Sequence, residues 1–138
     1  MANKLYAVID TNVIVSAMFT HNQESPTKLI LDHVLQGNVI PLYADEIISE
    51  YQAVLSREQF SFRPENIAAV INAIERFGIA PGKKKVEGKE FPDPKDIVFY
   101  EVALSKEGSF LVTGNTKHFP KEPIVVTPAE FLDIFKNL

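Results

Sequence analysis

Short, wholly apolar runs alternating with amphipathic helical segments constrain this chain more than any other feature. Leu5, Tyr6, Ala7, Val8 and Ile9 form the first run, and Ser109 to Thr113 and Ile124 to Val126 repeat it near the other end. Runs this short, rich in β-branched and aromatic residues, read as strands buried on both faces, the kind found inside a parallel sheet. Val39 to Tyr43 makes a further strand, and Pro41 predicts a place near an edge or strand start because proline cannot donate to a ladder. The helices between them have legible ends. Asn12 to Phe19 is short, His21 to Glu24 is polar loop, and Ser25, Pro26 and Gly37 bracket the second helix. Asp45 opens the third, Pro64 to Phe77 is closed by Gly78, and Thr127, Pro128 and Glu130 make a capping box ahead of Phe131, Leu132, Phe135 and Leu138. Asp93 and Pro94 start a helix of about twelve residues that Gly108 ends. Ile79 to Val86 adds a short strand interrupted by Pro81 and Gly82. This order predicts a single three-layer α/β/α domain over residues 1–138, with right-handed crossovers and a mostly parallel central sheet of four to five strands.

Asp10 stands where the first strand stops. Open α/β sheets bind ligands beyond the carboxyl ends of their strands, so a carboxylate here can face the crevice. It can equally cap the helix that follows. Asp93 and Asp96 have the same double reading: their charges suit the positive end of a helix, while the crossover delivers them to the same end of the sheet as Asp10. On the third helix Ile47, Ile48, Tyr51, Val54 and Leu55 form the apolar stripe, with Glu50 at its margin, the acid best placed to reach inward. Gly114 and Asn115 follow the later strand, where asparagine can cap a turn or place a neutral oxygen near a cation. Three acids at ~4 Å repel by ~4 kcal/mol per pair at an effective dielectric near 20, so convergence of Asp10, Glu50 and Asp96 predicts a divalent ion. Hard cations such as Mg²⁺ prefer this kind of oxygen donor.

Composition narrows the classes. The chain has 138 residues, no cysteine, 46% hydrophobic and 23% charged residues, which excludes a disulfide scaffold and thiolate metal sites and fits a globular protein. No apolar run is long enough for a membrane helix and no basic leader precedes the first strand, so the expectation is a cytoplasmic protein without a membrane partner. A net charge of −4 and a pI near 5.4 run against a nucleic-acid binder. The cluster Lys83, Lys84, Lys85 and Lys89 is either a solvated loop or a guide for a polyanion. His33 reads as an exposed helix residue, and His118 as a packed loop residue or a phosphate contact. A receiver-like phosphoacceptor also places aspartates at strand ends, but the lysine expected after a late strand is missing.

"VIDTNVIVSA", the glutamate of "IISEYQAVLSR", "DPKDIVFYEVAL" and "FLVTGNTKHF", in this order, resemble the motifs of the PIN-domain family across essentially the whole chain, especially its single-domain members assigned as VapC-like toxins of toxin–antitoxin pairs. The resemblance implies a PIN-like fold and a ribonuclease that uses Mg²⁺ or Mn²⁺. By it, Asp10, Glu50 and Asp96 match the acidic metal ligands, Asp93 is an auxiliary acid, and Thr11, Asn12 and Thr113 are the polar residues that shape the site. Many members carry aspartate where this chain has Asn115, which removes a negative charge and bears on whether a second metal binds. The resemblance further implies an RNA substrate, guided by Lys83, Lys84 and Lys85, a small antitoxin partner and a homodimer. The alternative is a PIN-like RNA-binding or regulatory module with weakened catalysis.

Overall fold

Four parallel strands build the sheet at whose carboxyl end Asp10 and Thr113 stand. In the computed structural model, which describes residues 4–138, they are β1 (Leu5–Ile9), β2 (Val39–Pro41), β3 (Phe110–Val112) and β4 (Val125–Val126), in the order β2-β1-β3-β4. The two central strands are the apolar runs that predicted burial, with Ala7, Val8, Ile9, Leu111 and Val112 all essentially inaccessible to solvent. Pro41 sits opposite Ala7 on the outer strand β2, where its missing N–H costs no ladder bond, as the sequence predicted.

Six helices flank the sheet and complete the three-layer α/β/α architecture: α1 (Thr11–Phe19), α2 (Pro26–Leu35), α3 (Asp45–Leu55), α4 (Pro64–Phe77), α5 (Ile97–Ser105) and α6 (Pro128–Lys136). α5 is apolar almost all round and lies against β1 and β3, burying Phe99, Tyr100, Val102 and Ala103. α6 packs on α2 and β3; its capping box is formed in both directions, Thr127 Oγ1 accepting from the Glu130 amide and Glu130 accepting from the Thr127 amide. α4 ends at Gly78 for a packing reason, since a Cβ there would fall 2.3 Å from the Pro41 carbonyl oxygen.

Three sequence expectations need correction. Ile79 to Val86 is not a strand. Only Ile79 bridges to Leu42, donating to the Pro41 carbonyl and accepting from the Tyr43 amide, before Pro81 and Gly82 (φ +106°) turn the chain away. The segment is then tied to α5, where Lys84 N donates to the Glu101 carbonyl and Val86 N to its carboxylate. The helix begun at Pro94 is also shorter than expected: Pro94–Asp96 is a 3₁₀ turn, tightened by the Asp93 side chain accepting from Lys95 N, and α5 starts only at Ile97. His33 is not freely exposed, because its ring lies 4.3 Å from that of Phe135 across the α2–α6 contact.

One buried contact clamps the functional end of β1. Tyr51 of α3 is 1% exposed and donates its hydroxyl to the Ile9 carbonyl at 2.5 Å. Burial, then the charges of Asp10 and Glu50, push this phenol well above its ordinary value, so it remains a donor. Tyr51→Phe keeps the ring and deletes the bond; the expected loss is about 1–3 kcal/mol, read as a lower urea midpoint with an unchanged slope.

Candidate active site

β1 and β3 are neighbours, and the chain leaves them in opposite directions, from β1 to β2 on one side and from β3 to β4 on the other. The crevice of an open α/β sheet lies at such a switch point, beyond the carboxyl ends of the strands. The residues immediately after β1 and β3 are Asp10 and Thr113.

Asp10 serves both of the roles its sequence context allowed. Its N–H continues the sheet by donating to the Val112 carbonyl at 2.9 Å. One carboxylate oxygen caps α1 by accepting from Thr11 N at 2.8 Å, and the other accepts from the Thr113 hydroxyl at 2.7 Å. The side chain is 8% exposed. Burial raises its pKa, the two hydrogen bonds oppose that rise, and the Glu50 charge adds to it. Thr113, fully buried, donates to Asp10 while accepting from Asn115 N at 3.0 Å. Thr11 donates to Glu50 Oε2 at 3.2 Å, orienting the half-buried glutamate of α3. Asn12 ties the two strand ends together by accepting from Gly114 N at 3.1 Å. The polar residues thus fix the acids in place.

Asp96 arrives from the 3₁₀ turn before α5. Its side chain is only 16% exposed, and its Oδ2 is buried without a hydrogen-bond partner, with His118 Nδ1 at 3.4 Å. Burial first, then the charges of Asp10, Asp93 and Glu50, push its pKa up from 3.8 to about 6, with His118 opposing. Asp10, Thr11, Asn12, Glu50, Asp93 and Asp96 all line one cavity of about 360 Å³. Asp93 stands at its exposed margin, its carboxylate spent on capping Lys95 N.

Two sets of residues fall elsewhere. Asn115 is one step outside the lining, its amide donating to His118 Nε2 at 2.9 Å. Lys83 is paired with Glu46, one turn before Glu50 on α3, and Lys84 and Lys85 are exposed on the loop bound to α5. None of the three lines the acidic cavity. The cations that do are Arg57 and Lys95, together with His118. His118 is therefore an exposed residue of the site, in the 3₁₀ turn three residues beyond Asn115, rather than a packed loop residue.

A divalent cation suits this donor set. Asp10, Glu50 and Asp96 line one cavity, and the Oδ2 of Asp96 is buried without a partner, an arrangement that is costly for anions alone. Among the described residues no group of three His, Cys, Asp or Glu side chains is arranged to hold a metal ion, so the protein's share of any coordination shell would be one or two carboxylates.

Among the described residues no helix is long and apolar enough to cross a membrane. Comparison with curated proteins finds no match. A family model described as the PIN domain matches residues 6–117, from inside β1 through Asn115 to the turn that carries His118. PIN domains are generally nucleases and typically bind divalent ions. With four-fifths of its length covered by that match and its acids gathered at the switch point of a parallel sheet, the chain belongs to the PIN-domain family.

Proposed function

We propose that this protein is a divalent-metal-dependent endoribonuclease that hydrolyses phosphodiester bonds in unpaired RNA. The observation that carries the reading is the buried, unpartnered Oδ2 of Asp96 in the cavity that Asp10 and Glu50 also line. Asp10 and Asp96 would hold Mg²⁺ or Mn²⁺, with Glu50 completing the donor set. Such an ion, when bound, supplies Lewis-acid polarisation of the scissile phosphate and acidifies water. The chain supplies the rest. Thr113 and the Thr11 amide donate to the Asp10 carboxylate and favour its charged form against the burial that opposes it. Thr11 turns Glu50 inward, where it can orient a water for attack on phosphorus. His118, Arg57 and Lys95 offset the charge of an incoming backbone that the net charge of −4 would otherwise repel. Unpaired RNA fits because its backbone can bend into an open cleft. The family resemblance of the four motifs extends this reading to a toxin restrained by a small antitoxin, acting as a cytoplasmic homodimer.

The test is cleavage of an unstructured RNA by purified protein. Activity should appear with Mn²⁺ or Mg²⁺ and vanish with a chelator; metal-independent cleavage would remove Asp10 and Asp96 from the chemistry. The second reading, a regulatory RNA-binding module, is favoured by the engagement of Asn115 with His118 and by the lack, among the described residues, of three side chains arranged to hold an ion. It predicts RNA binding without turnover and negligible heat on titration with millimolar Mn²⁺.

A further inference from the structure

Three phenylalanines cluster at the lip of the acidic cavity. Phe60, in the 3₁₀ turn that follows α3, lines that cavity beside Arg57 and Val54. Its ring stacks on Phe62, centroids 5.6 Å apart and planes 19° off parallel. Phe19, the last residue of α1, meets both rings edge-on, at 6.5 Å from Phe60 and 6.0 Å from Phe62. Phe19 is 56% exposed, the most exposed large apolar side chain of the described residues. The bend that brings rings 60 and 62 together passes through Ser61 in the left-handed region at φ +55°, closed by its N–H donating to the Glu58 carbonyl. A non-glycine residue held there is conformationally strained. Arg57, one turn back, is exposed and among the described residues makes no salt bridge.

We propose that Phe60, braced by Phe19 and Phe62 and flanked by Arg57, is a stacking platform for an unpaired base of the RNA whose phosphate enters the carboxylate cavity. The proposal rests on the nuclease reading and deepens it, by naming where the chain seats the nucleotide beside the scissile bond. Three observations favour a nucleobase as the occupant. The rings adjoin the acidic cavity without a break, since Phe60 and Asp10 line the same space. An unpaired guanidinium stands within that lining, suited both to a phosphate and to stacking on a base. The acids below the rings would repel a second acidic surface, whereas a base brings a neutral π-face on a backbone that a cation-bearing site can take. Bases stack on aromatic rings irrespective of sequence, so the platform sets the register of cleavage relative to an unpaired nucleotide and not the identity of that nucleotide.

The platform is tested by fluorescence anisotropy in chelator with two labelled oligoribonucleotides, one intact and one carrying a single abasic ribose. Cleavage of the same pair in Mn²⁺ is measured separately. Wild-type protein should bind the intact chain about 10-fold more tightly when the missing base is the one seated on Phe60, with the abasic position scanned along the oligonucleotide. Phe60→Leu, which keeps an apolar side chain, and Phe19→Ala, at an exposed position, should each remove most of this difference, and Phe60→Tyr should restore it. Thermal melting confirms that each variant is folded. Absence of base discrimination in a wild-type protein that cleaves RNA overturns the platform and leaves the nuclease standing. Discrimination without cleavage does the reverse. Variants that bind RNA like wild type but lose self-association in sedimentation would assign the rings to a protein interface and overturn the proposal.

Discussion

Replacing Asp10 by asparagine is expected to lower metal-dependent RNA cleavage by about 10³-fold or more, because loss of one charged ligand forfeits several kcal/mol of transition-state charge stabilisation. Several features of the site make this substitution informative. Asparagine keeps the size of the side chain, and its amide oxygen can still accept from Thr11 N, preserving the cap of α1. Its amide nitrogen then faces Thr113, whose hydroxyl can rotate to accept where it formerly donated. The fold should therefore survive, with a melting temperature close to wild type. A variant that is folded and still cleaves at a tenth of the wild-type rate would place the chemistry elsewhere. A matched Thr113→Val variant separates ligand from scaffold: it keeps the carboxyl group but removes its buried hydrogen-bond donor, and the 10- to 100-fold loss expected for supports of metal ligands should result.

The physics that makes Asp10 prominent also explains why it could be found from sequence alone. A strand buried on both faces has to be apolar throughout, so the first ionisable residue after it marks the strand end, and the strand end of a parallel sheet is where the crevice lies. The acids ahead of α5 were legible from the crossover that begins at a strand's carboxyl end, whereas Thr113, read as the last residue of its strand, was named only through the family resemblance. Glu50 was legible for a different reason, since a charged residue at the margin of an apolar stripe must point along the edge of the core, and α3 lays that edge against β1 through Tyr51 and Ile9. What could not be read is what depends on side-chain directions in irregular backbone. His118 lies in a turn among Lys117, Phe119 and Pro120, where no periodicity assigns a facing. The Phe60–Phe62 stack requires a left-handed Ser61, a conformation that the residue type does not advertise. The lysines at 83 to 85 looked like a basic patch because they are consecutive; in the fold Lys83 neutralises Glu46, and the loop is anchored to Glu101. Consecutive charges on an extended loop have no common facing, whereas Arg57 and Lys95, from different elements, converge on one cavity.

Asp96→Asn should make the metal-free protein more stable while abolishing its activity. The Asp96 carboxyl is nearly buried, faces Asp10, Asp93 and Glu50, and leaves Oδ2 without a hydrogen-bond partner, so its pKa rises from 3.8 to about 6. A carboxyl whose folded pKa lies above its unfolded value favours folding only while it is protonated. That contribution is complete below about pH 4, falls as pH rises through the folded value near 6, and is absent at neutral pH. The cavity is open to solvent, which screens part of the repulsion and leaves about 1–2 kcal/mol of strain at neutral pH. In chelator the asparagine variant should therefore melt above wild type at neutral pH, and the gap should close as pH falls toward 4. Mn²⁺ at a hundredfold excess over its dissociation constant would add about 2.7 kcal/mol to wild type and much less to the variant, reversing their order. Equal stability of the two proteins in chelator at neutral pH would mean that the acids are not strained against one another. A gap in chelator that Mn²⁺ fails to reverse would mean that they repel without serving as a cation site. Only the crossing of the two stability curves on adding metal ties the electrostatic cost of this cavity to ion binding, the cost being what the fold carries so that the site is ready to bind.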